Sequence, residues 1–286
     1  MKRFVKRVAA IAAILAGVGL LCSASAYLLK DRILNYEIPA DKHIVFMGNS
    51  QLETSVDDSD WLGVINLAKS AKQYKMMRID LENLIAMNTQ IDTVFLVVSP
   101  FSIRESDADR SYEDVTYMES ITYYAPYLTY EDLKEMPVVM PFIKDLLFGG
   151  CLKYLPKHLS CGAYLHNTRD DLEQDLKKQN EGRLLDREKI QNGNHITTLE
   201  LARIAELCDS HDIKLIFIST PNYSAASKYN LEHFKSQVHE LQKKSHADFW
   251  DYVDLNLPDT LFSDMTHLNY KGAAVFTDIL KQRLRN

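Results

Sequence analysis

His43-Ile44-Val45-Phe46-Met47-Gly48-Asn49-Ser50-Gln51-Leu52-Glu53 is the stretch on which the fold turns. Its apolar run is too short for a helix and lacks the alternation of a half-exposed strand. It therefore predicts a strand buried on both faces, as in a parallel sheet. Gly48-Asn49-Ser50 closes the run in a turn. A serine just past a strand, with a helix to follow, is expected at a helix N-terminus, its hydroxyl exposed beside free backbone N–H groups. That setting suits a nucleophile whose own N–H donates to the oxyanion it creates. Plain capping accounts for the same residues, because serine and asparagine are both preferred there.

Outward from this stretch, strand and helix patterns alternate. Val64 to Leu67 reads as a second strand, and Ala71 to Met87 as a helix with Met76, Ile79, Asn83 and Met87 near helical spacing. Thr93 to Ser99 is a third strand, closed by Pro100. Ile196 to His211 has helical periodicity, and Lys214 to Ser219 is a fourth strand followed by Thr220-Pro221. Tyr223 to His246 is mostly helical, Phe249 to Val253 a fifth strand, and Tyr270 to Arg285 a terminal helix. Such alternation predicts an α/β fold with a parallel sheet covered on both faces. Sites in sheets of this kind form at the carboxyl ends of the strands.

Between about residues 104 and 193 the alternation stops. An acidic, tyrosine-rich half (Tyr112, Tyr117, Tyr123, Tyr124, Tyr127, Tyr130) precedes Pro137, Pro141 and Gly149-Gly150, and a charged, helix-prone stretch runs from Asp170 to Lys189. We expect an insertion of short helices forming a lid or cap over the strand ends. Its tyrosines either pack as ordinary amphipathic side chains or stack on sugar rings.

The N-terminus reads as a membrane signal. Lys2, Arg3, Lys6 and Arg7 precede 22 uncharged residues, Val8 to Leu29, enough for a helix to span a bilayer. The flanking cations would hold the N-terminus inside and place the rest of the chain outside. Ala24-Ser25-Ala26 also suits signal peptidase. Residues 1–31 are thus a signal anchor or a cleaved signal peptide, and 32–286 an exported domain on the membrane, or secreted or periplasmic after cleavage. With the four leading cations set aside, 29 basic residues face 39 acidic ones, a net charge of −10. A body so acidic, with no basic stripe, argues against nucleic-acid partners. Cys151 and Cys161 are close enough in sequence to close a small loop in an oxidising compartment.

A second motif stands before the terminal helix: Phe262-Ser263-Asp264-Met265-Thr266-His267-Leu268-Asn269-Tyr270-Lys271-Gly272. A neutral imidazole can take a serine proton, and a carboxylate beside it fixes the tautomer and stabilises the imidazolium. Asp264 could equally be a local cap beside a surface histidine. A metal site would need more ligands than the spacing supplies, so neither metal nor cofactor is implied.

Together the two motifs resemble the SGNH/GDSL hydrolase superfamily. Gly48-Asn49-Ser50 matches its Gly-Asp-Ser-like block, and Asp264, His267, Leu268-Asn269 and Gly272 match its terminal Asp-x-x-His block. The resemblance covers roughly residues 40–103 and 195–286 and implies a three-layer, flavodoxin-like sheet of order 2-1-3-4-5. It implies Ser50 as nucleophile, His267 as base and Asp264 as its orienting acid. The Ser50 N–H and the Ala71 N–H would form the oxyanion hole. Ala71 stands in Asn66-Leu67-Ala68-Lys69-Ser70-Ala71, where the family commonly has glycine. The family's block-three asparagine is missing, since the third strand ends in Ser99-Pro100-Phe101-Ser102; Ser99 or Ser102 would have to donate instead.

With its anchor, the chain looks most like the SGNH-like proteins of cell-envelope modification, which move acyl groups onto or off extracytoplasmic polymers. The expected activity is ester hydrolysis or O-acyl transfer, acetyl above all, on an envelope carbohydrate, with a membrane acyltransferase as a candidate partner. A lipid ester is a further substrate reading. The rival from another class is a catalytically inactive SGNH-like module that binds glycan or an acyltransferase partner.

Overall fold

The computed structural model describes residues 2–28, 34–100, 124, 127–134, 159–160, 162–180, 195–223 and 231–285. In chain order its elements begin with α1 (Lys2–Leu28), β1 (Leu34–Asn35), β2 (Ile44–Met47), α2 (Ser50–Glu53), β3 (Val64–Asn66), α3 (Tyr74–Met87) and β4 (Thr93–Val97). Then come α4 (Tyr130–Lys134), β5 (Leu159–Ser160), α5 (Leu172–Asn180), α6 (His195–Asp209), β6 (Lys214–Ile218), α7 (Leu231–Ser245) and β7 (Asp248–Trp250). A 3-10 turn at Asp259–Leu261 and α8 (Tyr270–Arg285) complete the chain.

Two compact units divide the chain: residues 1–36 with 109–160, and residues 37–108 with 161–286. In the first, β1 pairs in parallel with β5, a contact no local pattern announced. Tyr124 and Tyr127 are buried there, and Tyr127 meets the ring of Tyr36 edge-on at 6.0 Å. Those two tyrosines pack as core, whereas Tyr130 is exposed. Phe4, Ile11, Ile14, Leu20 and Leu21 of α1 are exposed. By length and composition Lys2–Leu21 is a candidate membrane span or signal sequence, with mean hydropathy 2.0. Tyr112, Tyr117, Tyr123, Cys151, Cys161 and most of the expected insertion lie outside the described residues.

The second unit holds a five-stranded, wholly parallel sheet ordered β3-β2-β4-β6-β7. Renumbered within the sheet, that is 2-1-3-4-5. Val45, Phe46 and Met47, Val94 to Val98, and Ile216 to Ile218 are all buried, which explains their unbroken apolar runs. Aromatic rings link the strands: Phe46 of β2 stacks on Phe95 of the adjacent β4 at 4.3 Å, and Phe95 meets Trp250 of β7, beyond β6, edge-on at 4.9 Å. α3 and α6 pack together, and their contact carries charge. Glu200, 1% exposed, is paired with Arg78 at 2.7 Å and Arg203 at 3.0 Å, with Lys75 at 3.7 Å. Removing the acid from such a cluster would take a carboxylate from the buried Lys75 and Arg78.

The strands end on a close approach. A Cβ on Gly48 would lie 2.6 Å from Val97 Cγ1 and 3.0 Å from Leu52 Cβ. Only a residue without a side chain lets β2 turn into α2 against β4. Gly48→Ala is therefore expected to cost about 1–3 kcal/mol of stability through overpacking. Urea unfolding checks this; unchanged stability would show that Val97 yields freely.

Candidate active site

Ser50 opens α2, three residues beyond β2, but the helix is a single turn of four residues. So short a helix has little macrodipole, and local donors matter more. Asn49 is the N-cap, its side chain accepting from Gln51 N at 3.1 Å. Capping is thus done by the asparagine, and the serine hydroxyl is left for another partner. That partner is His267: Ser50 Oγ donates to Nε2 at 2.8 Å.

His267 Nδ1 in turn donates to Asp264, 2.8 Å from Oδ2 and 2.9 Å from Oδ1. The order Ser–His–Asp is that of a proton relay, in which the carboxylate fixes the tautomer that leaves Nε2 free to accept. Asp264 also accepts from the backbone N–H of Thr266 (2.8 Å) and His267 (2.9 Å) and from the Thr266 hydroxyl (3.1 Å). Burial pushes the Asp264 carboxyl up, but the imidazole and the Thr266 donors together hold it below the usual carboxylate range. The capping role ahead of α8 falls to Asn269, whose Oδ1 accepts from Lys271 N and Gly272 N. Both motifs thus carry an asparagine that caps and a second residue that is free for the relay.

Ser50 N–H and Ala71 N–H, the first two expected oxyanion donors, make no hydrogen bond among the described residues. Ala71 has φ 60°, the left-handed region that favours glycine. The backbone thus has the shape a glycine would give, at a cost of about 1–2 kcal/mol for the Cβ. The turn carrying it is braced on each side. Ser70 donates to the Glu53 carboxylate of α2, Lys69 N donates to Gly48 O at 2.9 Å, and Lys72 is ion-paired with the fully buried Asp80. Ser99, the third expected donor, is buried just past β4. Ser102 lies outside the described residues.

One residue that sequence reading missed holds the histidine loop. Asn167, from the region expected to be the insertion, is buried and donates through Nδ2 to Ser263 Oγ (2.8 Å) and Leu268 O (3.0 Å). It clamps both ends of the 263–268 loop, while Ser263 N donates to His267 O at 2.9 Å. Nothing in His166-Asn167-Thr168 signals this, because the partners lie about a hundred residues away. Other polar groups stay apart from the relay. His43 pairs with Asp92 at the amino ends of β2 and β4, and His211 bonds Leu207 O and Ser210. Cys208 is buried, and burial pushes its thiol up to about 12. Among the described residues no group of three or more His, Cys, Asp or Glu side chains converges as a metal site.

Strand order 2-1-3-4-5, a serine just past the first strand of that order, and an Asp-x-x-His block ahead of the last helix are the arrangement that the resemblance to SGNH/GDSL hydrolases implied. A protein-family profile matches residues 166–286. No curated protein matches the sequence. Among solved structures the chain is similar to a GDSL-like lipase from Bacteroides thetaiotaomicron VPI-5482, with 14% identity, 92% of this chain and 98% of that one covered, and a TM-score of 0.43. It is similar also to a psychrotrophic esterase from Pseudoalteromonas sp. (12% identity, 86% and 100% covered, TM-score 0.42). A third is a catalytic mutant of an acetylxylan esterase from Geobacillus stearothermophilus (12%, 86% and 95%, 0.42).

Two outcomes test the geometry. Asn167→Ala removes both clamps and should cost about 1–3 kcal/mol in thermal or urea unfolding. For Asp264, the folded pKa lies below the unfolded value of about 3.9, so ionised Asp264 stabilises the fold above that value. The contribution fades as pH falls through the folded pKa. The stability gap between wild type and Asp264→Asn should be full at about pH 6 and should shrink as pH falls below about 3.9.

Proposed function

We propose that the protein is a membrane-tethered serine esterase or O-acyltransferase acting on an ester of an extracytoplasmic carbohydrate. The observation that carries the chemistry is the unbroken relay from Ser50 through His267 to Asp264. His267 Nε2 takes the proton as Ser50 Oγ attacks the ester carbonyl carbon. The Ser50 and Ala71 N–H groups receive the oxyanion that forms. As the tetrahedral intermediate collapses, Nε2 gives its proton to the departing alkoxide and leaves an acyl-serine. Water or a sugar hydroxyl then attacks that ester and passes its proton to Nε2, which returns it to Ser50 Oγ as the acyl group leaves on the new acceptor.

Export and tethering are supported by α1, apolar and fronted by four cations. The carbohydrate assignment is supported by the resemblance to envelope-modifying relatives, and a membrane acyltransferase is the partner such a branch implies. A second reading, a glycan- or partner-binding module without catalysis, is favoured by the strand end Ser99-Pro100, which lacks the block-three asparagine. Loss of one oxyanion donor costs about 10²–10³ in rate, so the enzyme reading predicts slow turnover with an intact nucleophile.

Fluorophosphonate labelling of the full chain in detergent distinguishes the two. Wild type should label, and Ser50→Ala and His267→Ala should not. A folded wild-type protein that stays unlabelled would transfer the proposal to the binding module.

A further inference from the structure

We infer that a cavity beside the triad is the subsite for one neutral sugar ring, the alcohol side of the ester; this rests on the esterase or transferase reading above. The cavity, about 250 Å³, lies between the segments that follow β6 and β7, and Asn222, Asp254, Leu255, Asn256, Leu257 and Phe262 line it. Hydrogen bonds and a bridge tie its walls to the neighbours of the relay residues. Asn222 Oδ1 accepts from Nε2 of Gln51, the neighbour of Ser50, at 3.3 Å. Tyr223 N donates to Met265 O, next to Asp264, at 3.1 Å. Phe262 pairs across an isolated antiparallel bridge with Leu268, the neighbour of His267. Every member of the relay is thus within two positions of a residue on the wall or bonded to it.

The wall has unspent hydrogen-bonding capacity. Asn222 is 7% exposed, yet its Nδ2 makes no hydrogen bond among the described residues. Gln51 Oε1, on the other side of the same amide pair, is buried and unpartnered. The Asn256 carboxamide is exposed and also unbonded among the described residues. A carboxamide both donates and accepts, as a sugar hydroxyl does. The Asp254 carboxylate adds a strong acceptor, and Phe262, Leu255 and Leu257 offer apolar faces to the C–H side of a ring.

The same features argue against other occupants. Lys235 is paired with Asp254 at 2.6 Å and with Asp251 at 3.3 Å. Two carboxylates on one ammonium leave a net negative charge, which disfavours a phosphate or a uronate. A fatty acyl chain would desolvate two unpaired amides at a cost of about 1–3 kcal/mol each. The volume also falls below the roughly 300–1,000 Å³ of pockets that enclose larger ligands. One polyol ring meets both limits.

The full chain in detergent is tested with two esters and one ligand. Asn256→Leu and Leu257→Trp should each lower kcat/KM on methyl 6-O-acetyl-β-D-glucoside by about tenfold, the loss of roughly one hydrogen bond or its steric equivalent. Asn256→Leu should lose several-fold less on 4-nitrophenyl acetate, whose aryl group makes no hydroxyl hydrogen bond to that amide. Equal losses on both esters, or no loss on the sugar ester, would overturn the subsite. Saturation-transfer NMR of methyl β-D-glucoside on Ser50→Ala reads the same cavity without turnover. Signals that vanish when Asn256→Leu is added support the subsite. Absence of signals from the folded protein, or stronger binding of glucuronate or decanoate, overturns it. Because the NMR arm needs no nucleophile, an inactive wild-type chain would sink the enzyme reading while leaving the subsite decided on its own.

Discussion

The hydrogen bond from Ser50 Oγ to His267 Nε2 joins residues 217 positions apart across 2.8 Å, and each end must be held to within a few tenths of an ångström for it to exist. On the serine side the constraint is met by the sheet. β2 lies between β3 and β4, Gly48 admits the close passage over Val97, and Asn49 caps the one-turn helix. On the histidine side there is no strand, only a loop, so polar bonds take over. Asp264 gathers the loop's own N–H groups, Asn167 spans its ends, and Asn269 anchors the entry to α8. Gly272 lets that helix sit hard against the preceding 3-10 turn, where a Cβ would lie 2.2 Å from Leu261 O.

The free donors near Ser50 belong to the backbone. The Ser50 and Ala71 N–H groups make no hydrogen bond among the described residues, and Ala71 is a strained alanine where the resemblance leads one to expect glycine. The direction of the Ala71 N–H depends on the turn around residues 69–72 keeping its shape. The buried Lys72–Asp80 pair and the Ser70–Glu53 bond are the restraints that do this. Strain at Ala71 is tolerated because its neighbours leave the backbone no better alternative.

The strands were legible because burial on both faces writes itself as an unbroken apolar run. All five expected sheet strands are present, each shorter than its run: Thr93 to Ser99 in sequence became Thr93–Val97, with Val98 and Ser99 already leaving the sheet. Ser50, Asp264 and His267 could be picked out because their motifs are local and sit at predicted turns. What could not be read is who caps. Serine, aspartate and asparagine compete for the same orphan N–H groups, and the winner, asparagine in both motifs, is settled by three-dimensional partners. Asn167, the β1–β5 pair and the Glu200 cluster were invisible for the same reason: each depends on partners far along the chain, with no period in the sequence to betray it.

The split of the relay across the chain has a consequence in time. Ser50 lies in the first fifth of the sequence, whereas Asp264 and His267 lie within its last twenty-three residues. Synthesis runs from the N-terminus, so a growing polypeptide carries its serine through most of its making with no base beside it. The Ser50–His267 bond can form only once the final loop has been made. Any product that stops short of residue 264, through early termination or clipping, would retain the serine turn but not the base that activates it.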